Sequence, residues 1–179
     1  PGSNDAGSWQ IVQFHPSYNY EDFVRGITVE TQGGDVTYET KDKLFSEICQ
    51  RADEDDGKKY ILIIDEINRA NLASVFGELI YALEYRGESV RMPYKTEGND
   101  ALIIPDNVYI IGTMNTADRS IGHIDYALRR RFVFIQCPAQ RDALEKYYKK
   151  HDHPCRDRAL ELFQEMEKLF AGRDVVSPD

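Results

Sequence analysis

Positive charge is in short supply. The 179 residues hold 22 Lys and Arg against 31 Asp and Glu, a formal net charge of −9 at pH 7. That balance offers no electrostatic footprint for non-specific binding to nucleic acid. Cysteine is also scarce: Cys49, Cys137 and Cys155 are odd in number, widely spaced and include no C-x-x-C pair. This argues against a disulfide framework or a zinc cluster and fits reduced thiols in a cytosolic protein. No apolar run approaches the ~20 residues that span a bilayer. The N-terminus lacks the basic-then-apolar order of a signal peptide. A cytoplasmic location without membrane contact is therefore expected. The last absence is a motif. No G-x-x-x-x-G-K-S/T phosphate loop occurs anywhere in the chain.

What is present is an alternation of strand and helix signals. Hydrophobic residues make up 41% of the chain, enough for one domain with a core and a small appendage. Residues 9–14 alternate apolar and polar and read as a strand. A short helical turn is expected at 20–24. Two β-rich pieces, 27–31 and 36–40, flank Gln32-Gly33-Gly34-Asp35, a hairpin signal. A helix is expected from Leu44 to Ala52, fading into a solvated acidic loop at 53–57. Residues 60–64, Tyr-Ile-Leu-Ile-Ile, form a continuous apolar run. Such a run suits a central parallel strand covered on both faces by helices. Over 71–85, Leu72, Val75, Phe76, Leu79, Ile80 and Leu83 fall on one helical stripe, with Asn71 as the N-cap. Short β pieces are expected in 86–106, a second buried strand at 108–114 and a short helix at 123–129. A further strand is expected at 132–137, with helices at 141–150 and 156–170. The pattern predicts an α/β fold with a mainly parallel sheet. Pro138 marks the only boundary signal, dividing a core at 1–138 from a helical segment at 139–179.

In parallel sheets, ligands bind at the C-terminal ends of the strands. Asp65-Glu66 and Asn115 both fall at such ends. A carboxylate directly after a buried strand can hold Mg²⁺ through water. An adjacent Glu can orient or deprotonate a water for attack on a terminal phosphate. An amide on the neighbouring strand can hydrogen-bond that water and the phosphate. Arg129-Arg130-Arg131 closes a short helix, where the positive charge suits the macrodipole. It could also reach a phosphate across a subunit interface. The bland alternatives are a helix cap for Asp65-Glu66, a turn residue for Asn115 and a solvated cluster for the arginines. His123 reads as a surface or cap residue.

Three stretches together are more specific than any one. They are Asp-Glu-Ile-Asn-Arg-Ala-Asn at 65–71, Met-Asn-Thr-Ala-Asp-Arg-Ser at 114–120, and Asp-Tyr-Ala-Leu-Arg-Arg-Arg-Phe at 125–132. They closely resemble the McrB family of AAA+ GTPases from modified-cytosine-dependent restriction systems. Val-Gln-Phe-His-Pro-Ser-Tyr at 12–18 and Tyr-Glu-Asp-Phe at 20–23 resemble that family's segment after the phosphate loop. The resemblance runs over about residues 9–137. It implies a Walker B pair in Asp65 (metal) and Glu66 (water). It implies a sensor in Asn115, with Asp118 and Arg119 completing the family signature, and interface arginines in Arg130 and Arg131. It further implies Mg²⁺ with GTP (or ATP) as cofactor and a hexameric homo-oligomer. The implied partners are an McrC-like nuclease and, through the complex, DNA carrying 5-methylcytosine. An ATP-using remodeller of the MoxR or dynein-like branch and a non-catalytic assembly module are the alternatives.

The family pattern places a strand, the phosphate loop and a helix before the segment at 12–14, and the chain lacks them. The helices after 139 resemble the start of an AAA+ lid. The expectation is a core piece cut at both ends, with an active parent and little nucleotide binding or hydrolysis of its own. An unpaired sheet edge is costly. One of three repairs is therefore expected: residues 132–137 pair with 108–113, a second chain fills the gap, or the missing segment lies on another polypeptide.

Overall fold

The computed structural model describes residues 2–4, 7–32, 35–96, 99–115, 126–152 and 154–170. Two compact units divide the chain, 1–133 and 134–179. The first opens with β1 (Gly2–Asn4) running antiparallel to β2 (Gly7–Gln13). α1 (Tyr20–Phe23) follows, started by a capping box. The Asn19 side chain accepts the N–H groups of Glu21 and Asp22, and Asp22 accepts the Asn19 N–H in return. β3 (Arg25–Gln32) and β4 (Asp35–Asp42) form the expected hairpin, with Gln32 opposite Asp35. Its root is held by Arg25, whose fully buried guanidinium pairs with Asp42 at 2.5 Å and donates to the Tyr94 carbonyl at 3.1 Å. α2 (Leu44–Glu54) buries Phe45, Ile48, Cys49 and Ala52.

The apolar run at 60–64 is β5 (Lys59–Asp65). It ends in a left-handed turn at Glu66, then a 3-10 turn (Ile67–Arg69), α3 (Leu72–Phe76) and α4 (Leu79–Ala82). The single helix expected over 71–85 is thus broken. Gly77 adopts φ +48°, and a Cβ there would sit 3.3 Å from the Tyr20 ring. The apolar stripe survives the break, with Leu72, Val75, Phe76, Leu79 and Ala82 buried. A glycine inside a helical pattern weakens the helix by only about 1 kcal/mol relative to alanine, so periodicity alone did not reveal the break. β6 (Val90–Thr96) and β7 (Asn99–Leu102) pair as a second hairpin, and β8 (Val108–Gly112) returns to the main sheet. α5 (Tyr126–Arg129) follows, with Leu128 in the core.

The main sheet has the order β1-β2-β5-β8, with β2, β5 and β8 parallel. Residues in register point to the same face, and this sorts the sheet into two surfaces. Leu62, Ile64 and Val108 are buried, and Val12, Tyr60 and Ile110 pack partly buried against the same core. The opposite face carries Trp9, Ile61 and Tyr109 in one row and Ile11, Ile63 and Ile111 in the next. Trp9, Ile11, Tyr109 and Ile111 are exposed. Ile61 and Ile63 of β5 are half-buried, so among the described residues the cover expected on both faces is full on one side only.

The strand expected at 132–137 does not form: residues 133–140 carry no ladder. Their β-rich composition is not enough, because a strand exists only with a partner whose N–H and C=O groups it can meet. Among the described residues, β8 pairs only with β5, so the proposed slide of 132–137 onto 108–113 does not occur. Among its described residues the second unit contains α6 (Arg141–His151) and α7 (Arg156–Phe170), linked by an Arg156–Glu145 ion pair at 2.6 Å. Among the described residues, no helix is long and apolar enough to cross a membrane.

Candidate functional site

The C-terminal ends of β5 and β8 lie side by side, and the chain after each is stitched to the other. The Thr113 N–H donates to the Ile64 carbonyl and the Ile67 N–H to the Thr113 carbonyl, both at 2.9 Å. Gly112 leaves room for Ile67 at this crossing, since a Cβ there would fall 2.9 Å from the Ile67 Cδ1. The result is a rim that presents Asp65, Glu66 and Asn115 together, as the sequence predicts.

Each carboxylate has its own partner. The Thr113 hydroxyl donates to Asp65 Oδ1 at 2.5 Å and accepts the Glu66 N–H at 3.3 Å. Among the described residues, Asp65 Oδ2 takes no hydrogen bond. Asn115 Nδ2 donates to Glu66 Oε1 at 3.0 Å, and Arg69 Nε to Glu66 Oε2 at 3.2 Å. Glu66 is a non-glycine residue at φ +52°, a conformation that costs on the order of 1–3 kcal/mol and occurs preferentially at functional sites. Behind the rim, Asn68 is buried, with its amide 3.5 Å from the Asn115 carbonyl. Its Oδ1 is a buried acceptor without a partner.

The donor set suits a hard, hydrated cation. Mg²⁺ is held by one or two carboxylates together with substrate phosphates and keeps several waters. A carboxylate oxygen left open at a strand end matches that requirement. Among the described residues, no group of three or more His, Cys, Asp or Glu is arranged to enclose a metal.

The arginine run sits elsewhere. Arg130 and Arg131 both pair with Glu84, just beyond α4; Arg130 Nη2 lies 3.2 Å from Glu84 Oε2. Arg131 also donates to the Ala127 carbonyl, and its side chain is only 9% exposed, against 55% for Arg130. Asp118 and Arg119 lie outside the described residues, as does His123. Sequence reasoning missed Thr113 and Arg69. Arg69 had a readable signal, its i, i+3 spacing from Glu66, which a 3-10 turn brings onto one side. Thr113 had none, because its partner is 48 residues away.

The model of the AAA domain (dynein-related subfamily) matches residues 5–132. The EcoKMcrB subunit of a type IV methyl-directed restriction enzyme from Escherichia coli K12 is 53% identical over 129 residues, covering 70% of this chain. The chain belongs to the dynein-related AAA family, in its McrB-type branch. A second relative, component YdiS of the type II restriction enzyme BsuMI from Bacillus subtilis 168, is 38% identical over 106 residues, or 52% of this chain. The chain spans 27% and 29% of the lengths of these two relatives. The AAA assignment agrees with the observed topology: a parallel sheet with a carboxylate pair at the end of its central strand.

Proposed function

We propose that the chain is the metal- and water-holding half of a nucleoside triphosphatase site in the motor subunit of a restriction system. One observation carries the reading: Asp65, Glu66 and Asn115 converge on one rim at the ends of adjacent parallel strands. In this reading Asp65 holds hydrated Mg²⁺ through its open oxygen, and the metal neutralises charge on the triphosphate. Glu66 orients the attacking water, and Asn115 keeps the carboxylate aligned with it. Arg130 and Arg131 act at a subunit interface of a ring, and Asp118 and Arg119 complete the signature loop. The names of both relatives support a restriction system, one of them methyl-directed; GTP, a hexameric ring, an McrC-like nuclease and methylated DNA are what the resemblance of residues 65–71, 114–120 and 125–132 implies. The grip on the phosphates comes from a loop outside these 179 residues. The chain by itself is then expected to bind nucleotide weakly and to turn none over.

The test uses the assembly in which this chain and its phosphate loop are both present. Glu66→Gln should leave nucleotide bound and abolish turnover, by about 10²-fold or more. Normal turnover in that variant would end the reading, as would tight GTP binding by the chain alone. An ATP-driven motor is the second reading, favoured by the dynein-related character of the matching family. Competition of GTP against ATP for the same site separates the two.

A further inference from the structure

The Walker-type pair does not stand alone on its rim, and one residue that restrains it is left unassigned by the family roles above. Arg69 closes the 3-10 turn that follows Glu66. Its backbone N–H donates to the Glu66 carbonyl at 2.9 Å, so the turn itself fixes where the side chain starts. Its Nε then reaches back to Glu66 Oε2 at 3.2 Å, while Asn115 holds Oε1 at 3.0 Å. Both oxygens of one carboxylate are therefore tied, from the segments that follow two adjacent strands, β5 and β8. The Glu66 side chain is 15% exposed and that of Arg69 45%.

A solvent-facing i, i+3 pair would ordinarily be worth little, about 0–1 kcal/mol. Here the geometry differs in two ways. The acidic partner is mostly buried, and it sits on a left-handed backbone that the surrounding hydrogen bonds must hold in place. A second donor, Asn115 in the segment after β8, removes the remaining rotational freedom of the carboxylate. Pre-set orientation of this kind matters to a water-activating group, because misplacement by about 1 Å can cost on the order of 10² in rate.

We propose that Arg69 is a positioning residue for the hydrolysis step: with Asn115 it forms a two-donor clamp that sets the plane of the Glu66 carboxylate. The inference rests on the triphosphatase reading. It concerns turnover and not nucleotide affinity, since Arg69 acts through Glu66.

The experiment compares Arg69→Ala, Arg69→Lys and Arg69→Met with Glu66→Gln, all in the complete nucleotide-hydrolysing assembly. Steady-state kinetics and binding of a fluorescent GTP analogue are measured for each. Arg69→Ala and Arg69→Met should lower kcat by about 10–100-fold with KM and analogue affinity within about two-fold. Arg69→Lys, which restores a donor and a charge, should recover part of the loss. An Arg69→Ala enzyme with kcat within two-fold of the parent overturns the clamp, and so does a rise in kcat, which would make Arg69 a brake. Loss of analogue binding with kcat preserved would make it a phosphate ligand and also overturns the proposal. If Arg69→Ala fails to fold, as a thermal melt would show, Arg69→Lys decides: full activity with unaltered KM at an ammonium unable to reproduce the Nε geometry counts against the clamp. Turnover surviving in Glu66→Gln would instead remove the underlying reading, so the two failures are separable.

Discussion

The two faces of the β2-β5-β8 sheet are nearly matched in composition and opposite in fate. On one, Leu62, Ile64 and Val108 are shut away beneath α2 and the aromatic cluster of Phe14, Phe23, Phe45 and Phe76. On the other, Trp9, Ile11, Tyr109 and Ile111 remain exposed, at 46–60% of their accessible surface. Hydrophobicity alone thus does not decide burial. What decides it is whether an amphipathic element lies within reach of that face. The exposed rows also run straight toward Asp65, which follows Ile61 and Ile63 on the same side of β5. In a fold whose parallel sheets are normally covered on both faces, the bare surface and the candidate site are neighbours.

This contrast can be broken by mutation. Ile64→Ala, on the covered face, should cost about 2–5 kcal/mol, read as a lower urea midpoint at unchanged m-value. Asn107→Ala comes next. That side chain donates to the carbonyls of Ala52, Asp55 and Lys58 at 2.9–3.1 Å, tying the end of α2 to the starts of β5 and β8. Losing it removes that donor from all three carbonyls, of which Asp55 keeps the Lys58 N–H, and about 1–3 kcal/mol should disappear in the same assay. Ile111→Thr, on the bare face, keeps the branched strand geometry and should shift stability by no more than about 0.5 kcal/mol. Its visible effect should be reduced self-association at high concentration, followed by sedimentation velocity. A large loss of stability in Ile111→Thr would mean that the bare face is covered in solution. A negligible loss in Ile64→Ala would mean that the covered one is not.

Much of this was readable in advance, for identifiable reasons. The β3–β4 hairpin announced itself through two β-rich pieces and a glycine pair between them. The capping role of Asn71 was legible because its side chain accepts the Ser74 N–H only three residues away. The convergence of Asp65, Glu66 and Asn115 followed from placing two strands side by side. Three things were hidden. The helix break at Gly77 depends on the Tyr20 ring packed against it. The strand expected at 132–137 had the composition but no partner. The arginine run was assigned to a subunit interface, and in the single chain both Arg130 and Arg131 are engaged by Glu84, about forty-six residues away in sequence.

By itself, the sequence determined the local order of elements, their inward stripes and the delivery of two carboxylates to the end of a central strand. These depend on periodicity, caps and turn chemistry, which act over a few residues. Tertiary structure alone decided which sheet face is covered and which donor holds which carboxylate oxygen. Thr113 meets Asp65 across 48 residues, and Asn115 meets Glu66 across 49. Such pairs are created by strand register, a property of two segments together that neither encodes alone.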